Sequence, residues 1–163
     1  MKKLLLFSGI PASGKSTYGR WFEQHRDCIH WDFENETLEQ AGKRSNVYIG
    51  TDRDLGSLIE AVDKIQRTVI IDWGFPPDNS LSAVRRLKED GVELWWFDGD
   101  RDAAEVSFLE RGGISAQDLK VQMQKIDNFW VEIETLFSGH VIRSVMQGPK
   151  YLPPEDVDKV IFS

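Results

Sequence analysis

The residues best suited to chemistry lie near the amino end, where two glycines frame a segment that ends in a lysine and two hydroxyl residues. Residues 9–17 read Gly-Ile-Pro-Ala-Ser-Gly-Lys-Ser-Thr, a full match to the pattern GxxxxGK[ST]. Glycines let a backbone curl tightly, so that successive N–H groups can converge on a phosphate beside a helix N-terminus. The lysine adds a charge, and the hydroxyls add oxygen ligands for Mg²⁺. This phosphate loop predicts a site for a nucleoside triphosphate.

The spacing assigns roles to the last three residues of the phosphate loop. Lys15 would bridge the β- and γ-phosphates, the Ser16 hydroxyl would ligate Mg²⁺, and Thr17 would contact the α-phosphate. The predicted nucleotide-binding residues are Gly9, Ala12, Ser13, Gly14, Lys15, Ser16 and Thr17. The alternative is a glycine-rich turn that matches by chance, but the pattern also stands between a predicted strand and a predicted helix, as phosphate binding requires. ATP and Mg²⁺ are therefore the expected cofactors.

Two aspartates follow other predicted strands. Asp72 ends the apolar run Thr68–Asp72, where a carboxylate can anchor the water shell of the magnesium ion; the alternative is a residue that opens the next turn. Asp32 follows the run Cys28–Trp31, and a carboxylate there can face the γ-phosphate, position an acceptor oxygen and take its proton. The alternative for Asp32 is an N-cap of a helix that begins near Phe33.

The elements that must position these residues alternate along the chain. The predicted strands are Lys3–Phe7, Cys28–Trp31, Thr68–Asp72, Val92–Phe97 and Val141–Val145. The predicted helices are Lys15–His25, Phe33–Ala41, Leu55–Gln66, Asn79–Asp90, Ala103–Arg111, Ala116–Phe137 and one after Pro154. This alternation predicts a three-layer α/β fold, with a mostly parallel five-stranded sheet, right-handed crossovers and helices on both faces. A ligand should lie at the carboxyl ends of the strands.

Length and composition favour one ordinary globular domain over residues 1–163, since 29% of the residues are charged and 40% hydrophobic. The longest apolar run is too short to span a bilayer, and no secretory leader pattern is present. The single cysteine, Cys28, cannot form an internal disulfide. We expect a cytoplasmic protein without a membrane partner. The net charge of −7 disfavours extensive electrostatic binding to the phosphate backbone of nucleic acid.

Over most of its length the chain resembles the small P-loop kinases, which include gluconate kinase, adenylylsulfate kinase, chloramphenicol phosphotransferase, zeta toxins and the kinase half of polynucleotide kinase. The phosphate loop is similar to their Gly-x-Pro-x-Ser-Gly-Lys-Ser-Thr version, and Asp32 matches their acidic residue after the second strand. The resemblance implies a P-loop NTPase fold, transfer of the γ-phosphoryl group of ATP to a hydroxyl, and Asp32 as the base. No Asn/Thr-Lys-x-Asp segment typical of GTPases occurs in the sequence.

Residues 99–113 resemble the start of the lid in gluconate-type kinases, which implies a small helical lid over approximately residues 101–125. Two arginines usually stand four residues apart in that segment. Arg111 matches the second, which by resemblance stabilises charge on the transferred phosphoryl group; the alternative is a cation that favours the helix dipole. The first falls at Ser107, so that Arg101 or a side chain after the last strand is left to cover the adenine.

Four functions stay open at this stage. The prediction is a kinase that phosphorylates a small-molecule hydroxyl. The alternatives are a 5′-hydroxyl kinase for a nucleic-acid end, a nucleotide-controlled binding module or slow ATPase, and a degenerate kinase, which Ser107 suggests because an arginine is expected there. Trp31 and Trp73 stand beside the two aspartates, either as core residues or as an aromatic wall for the acceptor. The predicted catalytic residues are Lys15, Asp32 and Arg111, and the predicted metal ligands are Ser16 and Asp72.

Overall fold

The computed structural model describes residues 2–44, 59–60, 66–74, 77–113, 115–148 and 150–163. Its strands are β1 (Leu4–Gly9), β2 (Ile29–Asp32), β3 (Val69–Asp72), β4 (Glu93–Gly99), β5 (Val141–Met146) and β6 (Lys150–Tyr151). Its helices are α1 (Lys15–His25), α2 (Leu38–Arg44), α3 (Pro77–Glu89), α4 (Arg101–Arg111), α5 (Ala116–Asn128), α6 (Trp130–Phe137) and α7 (Pro154–Ile161). None of these helices is long and apolar enough to cross a bilayer. The helix predicted over Leu55–Gln66 lies largely outside the described residues.

The strands form one sheet in the order β2-β3-β1-β4-β5-β6. Strands β1 to β5 run parallel, and β6 is antiparallel to β5, with Lys150 opposite Met146. The predicted α/β class and mostly parallel sheet are confirmed, but the prediction of five strands is wrong because β6 adds a sixth. A strand of two residues shows no apolar period in a sequence, and β6 forms only because the chain folds back along the edge of β5.

Helices pack on both faces of the sheet, which gives the three layers expected. Along β1, Leu5 and Phe7 pack with Phe22 of α1 on one face, whereas Leu6 packs with Val84 of α3 and with other helical residues on the opposite face. Successive residues of a strand point to opposite faces. Because both faces are covered, the central strands need apolar residues at nearly every position, and they appear in the sequence as continuous apolar runs.

The predicted helix Ala116–Phe137 is wrong in one respect, because it is interrupted at Phe129. That residue has φ −105° and ψ 15°, and it ends α5 and precedes α6. Trp130 and Phe137 of α6 pack edge-on against the Trp96 ring of β4, with ring centres 6.2 Å and 5.3 Å apart. No glycine or proline marks this break, so the cause lies in packing between elements.

Helix α2 begins at Leu38, five residues after the predicted start at Phe33. Thr37 precedes it as a reciprocal cap: the Gln40 N–H donates to the Thr37 hydroxyl at 3.2 Å, and the Thr37 N–H donates to the Gln40 side-chain oxygen at 2.8 Å. This is the capping-box arrangement of a threonine followed three residues later by a glutamine. Residues 33–36 form turns instead of a helix. Asp32 is therefore not a helix N-cap, and that alternative is excluded.

Candidate active site

A cavity of about 560 Å³ opens at the carboxyl ends of β1, β2 and β3, which is a size typical of small-ligand sites. It lies beside β1, where the chain order of the strands reverses, the usual ligand position in open α/β sheets. Segments after β1, β2 and β3 line one side, and α4 and α5 line the other. All the predicted catalytic residues and metal ligands line it, namely Lys15, Ser16, Asp32, Asp72 and Arg111.

The predicted nucleotide-binding residues follow the curve of the phosphate loop. Gly9, Ala12, Lys15 and Ser16 line the cavity. Ser13 is buried within the loop, Gly14 caps α1 in the left-handed conformation, and Thr17 is exposed on the first turn of α1. The structure thus brings four of these residues to the cavity wall and places the other three beneath or beside it.

The first glycine of the phosphate loop is required by a close approach of two backbones. Gly9 has φ +156°, and a Cβ atom there would lie 2.1 Å from the carbonyl oxygen of Phe97 in β4. The next residue, Ile10, donates its N–H to the same carbonyl at 3.0 Å. Any side chain at Gly9 would push β1 and β4 apart at the point where the loop begins.

Two carbonyl groups of the phosphate loop are held by hydroxyls from the carboxyl end of the chain. The Ser144 hydroxyl donates to the Ser13 carbonyl at 2.6 Å, and the Tyr151 hydroxyl donates to the Ala12 carbonyl at 2.8 Å. Neither donor belongs to the cavity wall, so these carbonyls point away from the cavity. Anion binding by such a loop requires that its N–H groups, and not its carbonyls, face the cavity.

Lys15 lies over the loop that precedes it, with Nζ 3.3 Å from the Ile10 carbonyl oxygen. Burial lowers the pKa of the Lys15 ammonium, and the nearby carboxylates of Asp72 and Glu34 only partly offset this, while the charge of Arg111 lowers the pKa further. A partly buried ammonium that feels the charge of a second cation is stabilised by a nearby anion. The arrangement therefore suits a phosphate bound in the cavity.

Asp72 is a buried carboxylate with two hydrogen-bond donors on one oxygen. The Ser16 hydroxyl donates to Oδ2 at 2.5 Å, and His30 Nε2 lies 3.1 Å from the same atom. Burial alone raises the pKa of Asp72, but the His30 hydrogen bond, the Lys15 charge and the Ser16 hydroxyl outweigh burial, and the pKa falls below its ordinary value. Asp72 is therefore ionised at neutral pH.

His30 is a site residue that sequence reasoning did not find. It is 1% exposed, and its ring fits against α1 because Gly19 leaves room: a Cβ there would lie 2.3 Å from the ring. Its partner Asp72 is 42 residues away in sequence, so no local spacing shows the pair. The available signal was a polar residue inside a buried strand, on the same face as Asp32.

Asp32 and Asp72 lie side by side, because β2 and β3 pair in parallel with these two residues in register. The turn after β2 orients Asp32. The Asn35 side-chain amide donates to both carboxylate oxygens of Asp32, at 3.1 Å and 3.0 Å. The backbone N–H of Asp32 donates to the Glu36 carboxylate at 2.8 Å. The structure thus presents a fixed carboxylate at the edge of the cavity.

Glu34 is a second carboxylate of this turn that lines the cavity and that sequence reasoning missed. Partial burial raises the pKa of Glu34, and the hydrogen bond from the Gly74 N–H and the charge of Lys15 only partly offset this. A Cβ on Gly74 would lie 3.2 Å from Glu34 Oε1 and 3.7 Å from Lys15 Nζ. Glu34 was missed because this segment was expected to be helical, which would have directed its side chain differently.

The opposite wall carries two cations. Arg111 ends α4, lines the cavity and lies with its guanidinium carbon 5.7 Å from the centre of the Phe108 ring. On α5, Gln122, Lys125 and Ile126 also line the cavity; their spacing of three and four residues places them on one face of the helix. Lys125 was not singled out from the sequence, since a helical lysine is ordinarily a surface residue.

The two tryptophans beside the aspartates differ in their surroundings. Trp31 is fully buried, and its indole N–H donates to the Glu36 carbonyl at 3.2 Å. Trp73 is partly buried and packs against Phe33, with ring centres 4.9 Å apart. Trp31 therefore belongs to the core and offers no face to an acceptor, in agreement with one of the two interpretations that the sequence allowed.

The oxygen atoms of Ser16 and Asp72 fit the needs of Mg²⁺, because this cation prefers hard oxygen ligands. Within the described part of the chain, no three His, Cys, Asp or Glu side chains are grouped so that they could hold a metal ion. A magnesium ion at this position would take most of its ligands from phosphates and water, as it commonly does with nucleotides.

No protein-family model and no curated protein matches this chain. Among solved structures, it is similar to a gluconokinase from Sinorhizobium meliloti, with 14% identity and a TM-score of 0.55 over 98% of this chain and 88% of that one. It is also similar to a shikimate kinase from Bacteroides thetaiotaomicron, with 13% identity and a TM-score of 0.51 over 86% and 85% of the two chains. An uncharacterised protein from Eubacterium ventriosum gives 10% identity and a TM-score of 0.56 over 99% and 96%.

These likenesses show the fold. The chain has the α/β fold of the gluconokinase and of the shikimate kinase, so the expected resemblance to gluconate kinase is confirmed at the level of architecture. The resemblance to adenylylsulfate kinase, chloramphenicol phosphotransferase, zeta toxins and polynucleotide kinase stays a prediction. At such low identity the acceptor and the catalytic residues must be argued from the site itself.

Proposed function

We propose that this protein is a magnesium-dependent phosphotransferase that moves the γ-phosphoryl group of ATP to a hydroxyl of a small molecule. One observation carries the proposal: a phosphate loop, three carboxylates and two further cations, contributed by separate segments of the chain, line one cavity. Phosphoryl transfer requires this set, since its catalysis rests on positioning and on stabilising charge at the phosphate oxygens. The fold shared with a gluconokinase and a shikimate kinase supports the same conclusion.

The residues divide the reaction between them. The loop N–H groups and Lys15 hold the β- and γ-phosphates, and Arg111 offers its charge to the transferred group. Ser16 and Asp72 would hold Mg²⁺, which when bound offsets negative charge on the phosphate oxygens. As the acceptor oxygen bonds to the γ-phosphorus, the bond from that phosphorus to the bridging oxygen of ADP breaks. The proton of the acceptor hydroxyl passes to Asp32.

Asp32 is the preferred base because the Asn35 amide holds its carboxylate in one orientation at the cavity edge. Glu34 is the other candidate base, because it lies near Lys15 and its raised pKa would suit proton transfer. We assign Asp32 to the proton and Glu34 to contacts with acceptor hydroxyls. The two assignments differ in their kinetic consequences, because a base acts on kcat and a binding group acts mainly on the acceptor KM.

A small acceptor agrees with the dimensions and charge of the site. The cavity of about 560 Å³ must hold both a triphosphate tail and the acceptor, and the net charge of −7 opposes a polyanionic partner. These features favour a metabolite-sized alcohol over a nucleic-acid end.

The test is ADP formation from Mg-ATP in the presence of sugars, nucleosides, hydroxy acids, aminoglycosides and oligonucleotides. With the active acceptor, Asp32→Asn should lower kcat by about 10²-fold or more, and Lys15→Ala should lower kcat/KM by about 10²- to 10³-fold. Glu34→Gln should raise the acceptor KM with a smaller effect on kcat. Asp156→Asn, at an exposed position of α7, is the matched control and should behave as wild type.

The outcomes separate the competing functions. ADP formation that depends on one small alcohol supports the proposal. Phosphate release at the same slow rate with every compound would indicate an ATPase and would overturn it. If Glu34→Gln abolishes kcat while Asp32→Asn retains it, the reaction stands but the two carboxylates exchange roles.

A further inference from the structure

Tyr151 connects two elements that the proposed reaction must keep at a fixed distance from each other, the phosphate loop and α4. Its hydroxyl oxygen lies 2.8 Å from the Ala12 carbonyl oxygen in the phosphate loop and 2.6 Å from the Ser107 hydroxyl on α4. A carbonyl can only accept, and a phenol carries one proton. The Tyr151 hydroxyl therefore donates to Ala12 and accepts from Ser107. One side chain thus joins the loop to the helix, and we call this set of contacts the tyrosine clasp.

The clasp starts from a well-anchored position. Tyr151 pairs with Val145 across the sheet edge, and the next residue, Leu152, donates its N–H to the Ser144 carbonyl at 2.8 Å. Ser144 itself donates to the phosphate-loop carbonyl of Ser13. Strands β5 and β6 therefore hold the loop at two neighbouring carbonyls, and the Tyr151 hydroxyl extends from this fixed base to α4.

On the helix, the clasp reaches the face of α4 that carries Arg111. Ser107 and Arg111 are four residues apart, which places them on one face of α4, one turn from each other. Arg111 lines the cavity, and α4 ends directly after it at Gly112, whose φ of +73° redirects the chain. The separation between Ser107 and the phosphate loop therefore sets how far the Arg111 guanidinium stands from a phosphate bound there.

We propose that Tyr151 is a positioning residue for Arg111, which fixes the distance between the phosphate loop and α4 and so places the guanidinium at the transferred phosphoryl group. This inference rests on the proposed function for its chemical meaning. The clasp consists of protein groups alone, so it requires no nucleotide to hold the arginine in place. Such preorganisation reduces the rearrangement needed to reach the transition state.

The test is Tyr151→Phe, which removes the hydroxyl and keeps the ring that packs beside Gly14. Amide hydrogen exchange over residues 101–111, without nucleotide, should rise about tenfold, because the one hydrogen bond that joins Tyr151 to α4 is lost. Ser107→Ala should give the same rise. Thr135→Val, which removes an exposed helical hydroxyl bonded to the Val131 carbonyl, should leave exchange in α4 unchanged.

Kinetics then test the link to Arg111. Tyr151→Phe should lower kcat about tenfold while KM for ATP changes less than about twofold. In an Arg111→Ala background the same change should lower kcat no further, since two residues that act as one unit are not additive. Unchanged exchange in α4 would overturn the clasp, and a full additional loss of kcat in the Arg111→Ala background would overturn the positioning role. If wild type transfers no phosphoryl group, the proposed function fails, and the exchange measurement still decides whether Tyr151 holds α4.

Discussion

At the scale of single residues, the site depends on a negative charge kept inside the protein. Asp72 is 4% exposed, and an ionised carboxylate that deep costs several kcal/mol unless it is paired or hydrogen-bonded. His30 and Ser16 donate to the same oxygen, and the Lys15 charge lies nearby. The sheet positions Asp72, but these three neighbours make its charge possible.

Replacing His30 tests this dependence directly. His30→Phe keeps a ring of similar shape against Gly19 and removes the nitrogen that bonds Asp72. Because the buried Asp72 carboxylate loses one hydrogen-bond donor, the free energy of unfolding should fall by about 1–3 kcal/mol. The pKa of Asp72 should rise. Urea denaturation at neutral pH measures the change in the free energy of unfolding. The affinity of the variant for Mg-ATP should also be lower than that of the wild type.

The matched control for that experiment is His140→Phe. His140 is exposed, stacks on Trp95 and has Nδ1 3.2 Å from the Leu94 carbonyl oxygen. Because water can replace that bond, the change should alter stability by less than about 0.5 kcal/mol. Equal losses of stability at the two histidines would mean that the His30 hydrogen bond does not stabilise the buried charge of Asp72.

At the scale of elements, sequence patterns located most strands and the phosphate loop because these follow local rules. Buried parallel strands need continuous apolar runs, and the loop needs its glycines at fixed positions. The errors arose where contacts between distant residues decide. Strand β6 exists through pairing with β5, and the interruption at Phe129 follows from packing of α6 on Trp96. Neither cause is visible in a local window.

The start of α2 is a different kind of error, because the signal was present in the sequence. Thr37 and Gln40 form a capping box, and this pattern alone would have placed the helix correctly. Thr37→Ala should lower the free energy of unfolding by about 1 kcal/mol, since it removes the side-chain cap. Denaturant unfolding measures the change.

Thr135→Ala provides the comparison for the Thr37 prediction. Thr135 lies within α6, is exposed, and bonds the carbonyl four residues earlier. Alanine is favourable inside a helix, so this variant should be neutral or slightly stabilising. Loss of stability in both variants to the same degree would show that the cap of α2 has no separate effect.

At the scale of the whole molecule, the predicted site residues meet because parallel strands end at the same edge of the sheet. That rule is enough to bring Lys15, Asp32 and Asp72 together from their sequence positions. It says little of Glu34, Lys125 or Tyr151, whose places depend on how a turn, a helix face and an edge strand pack around the cavity. The sequence therefore predicted the phosphate side of the site better than the acceptor side.

If this cavity binds Mg-ATP, the ligand must stabilise the entire fold, because its contacts come from elements throughout the chain. At a concentration 100 times Kd, the gain in unfolding free energy is about 2.7 kcal/mol, which for a chain of 163 residues corresponds to a rise in Tm of about 5–10 °C. Lys15→Ala should remove most of this shift, measured against its own ligand-free Tm. Lys159→Ala, which removes an exposed lysine of α7 paired with Asp156 at 3.1 Å, should retain it. A Tm of the wild-type protein that stays constant as Mg-ATP increases to millimolar levels would show that the phosphate loop does not bind this nucleotide, and the proposed reaction would have to be abandoned.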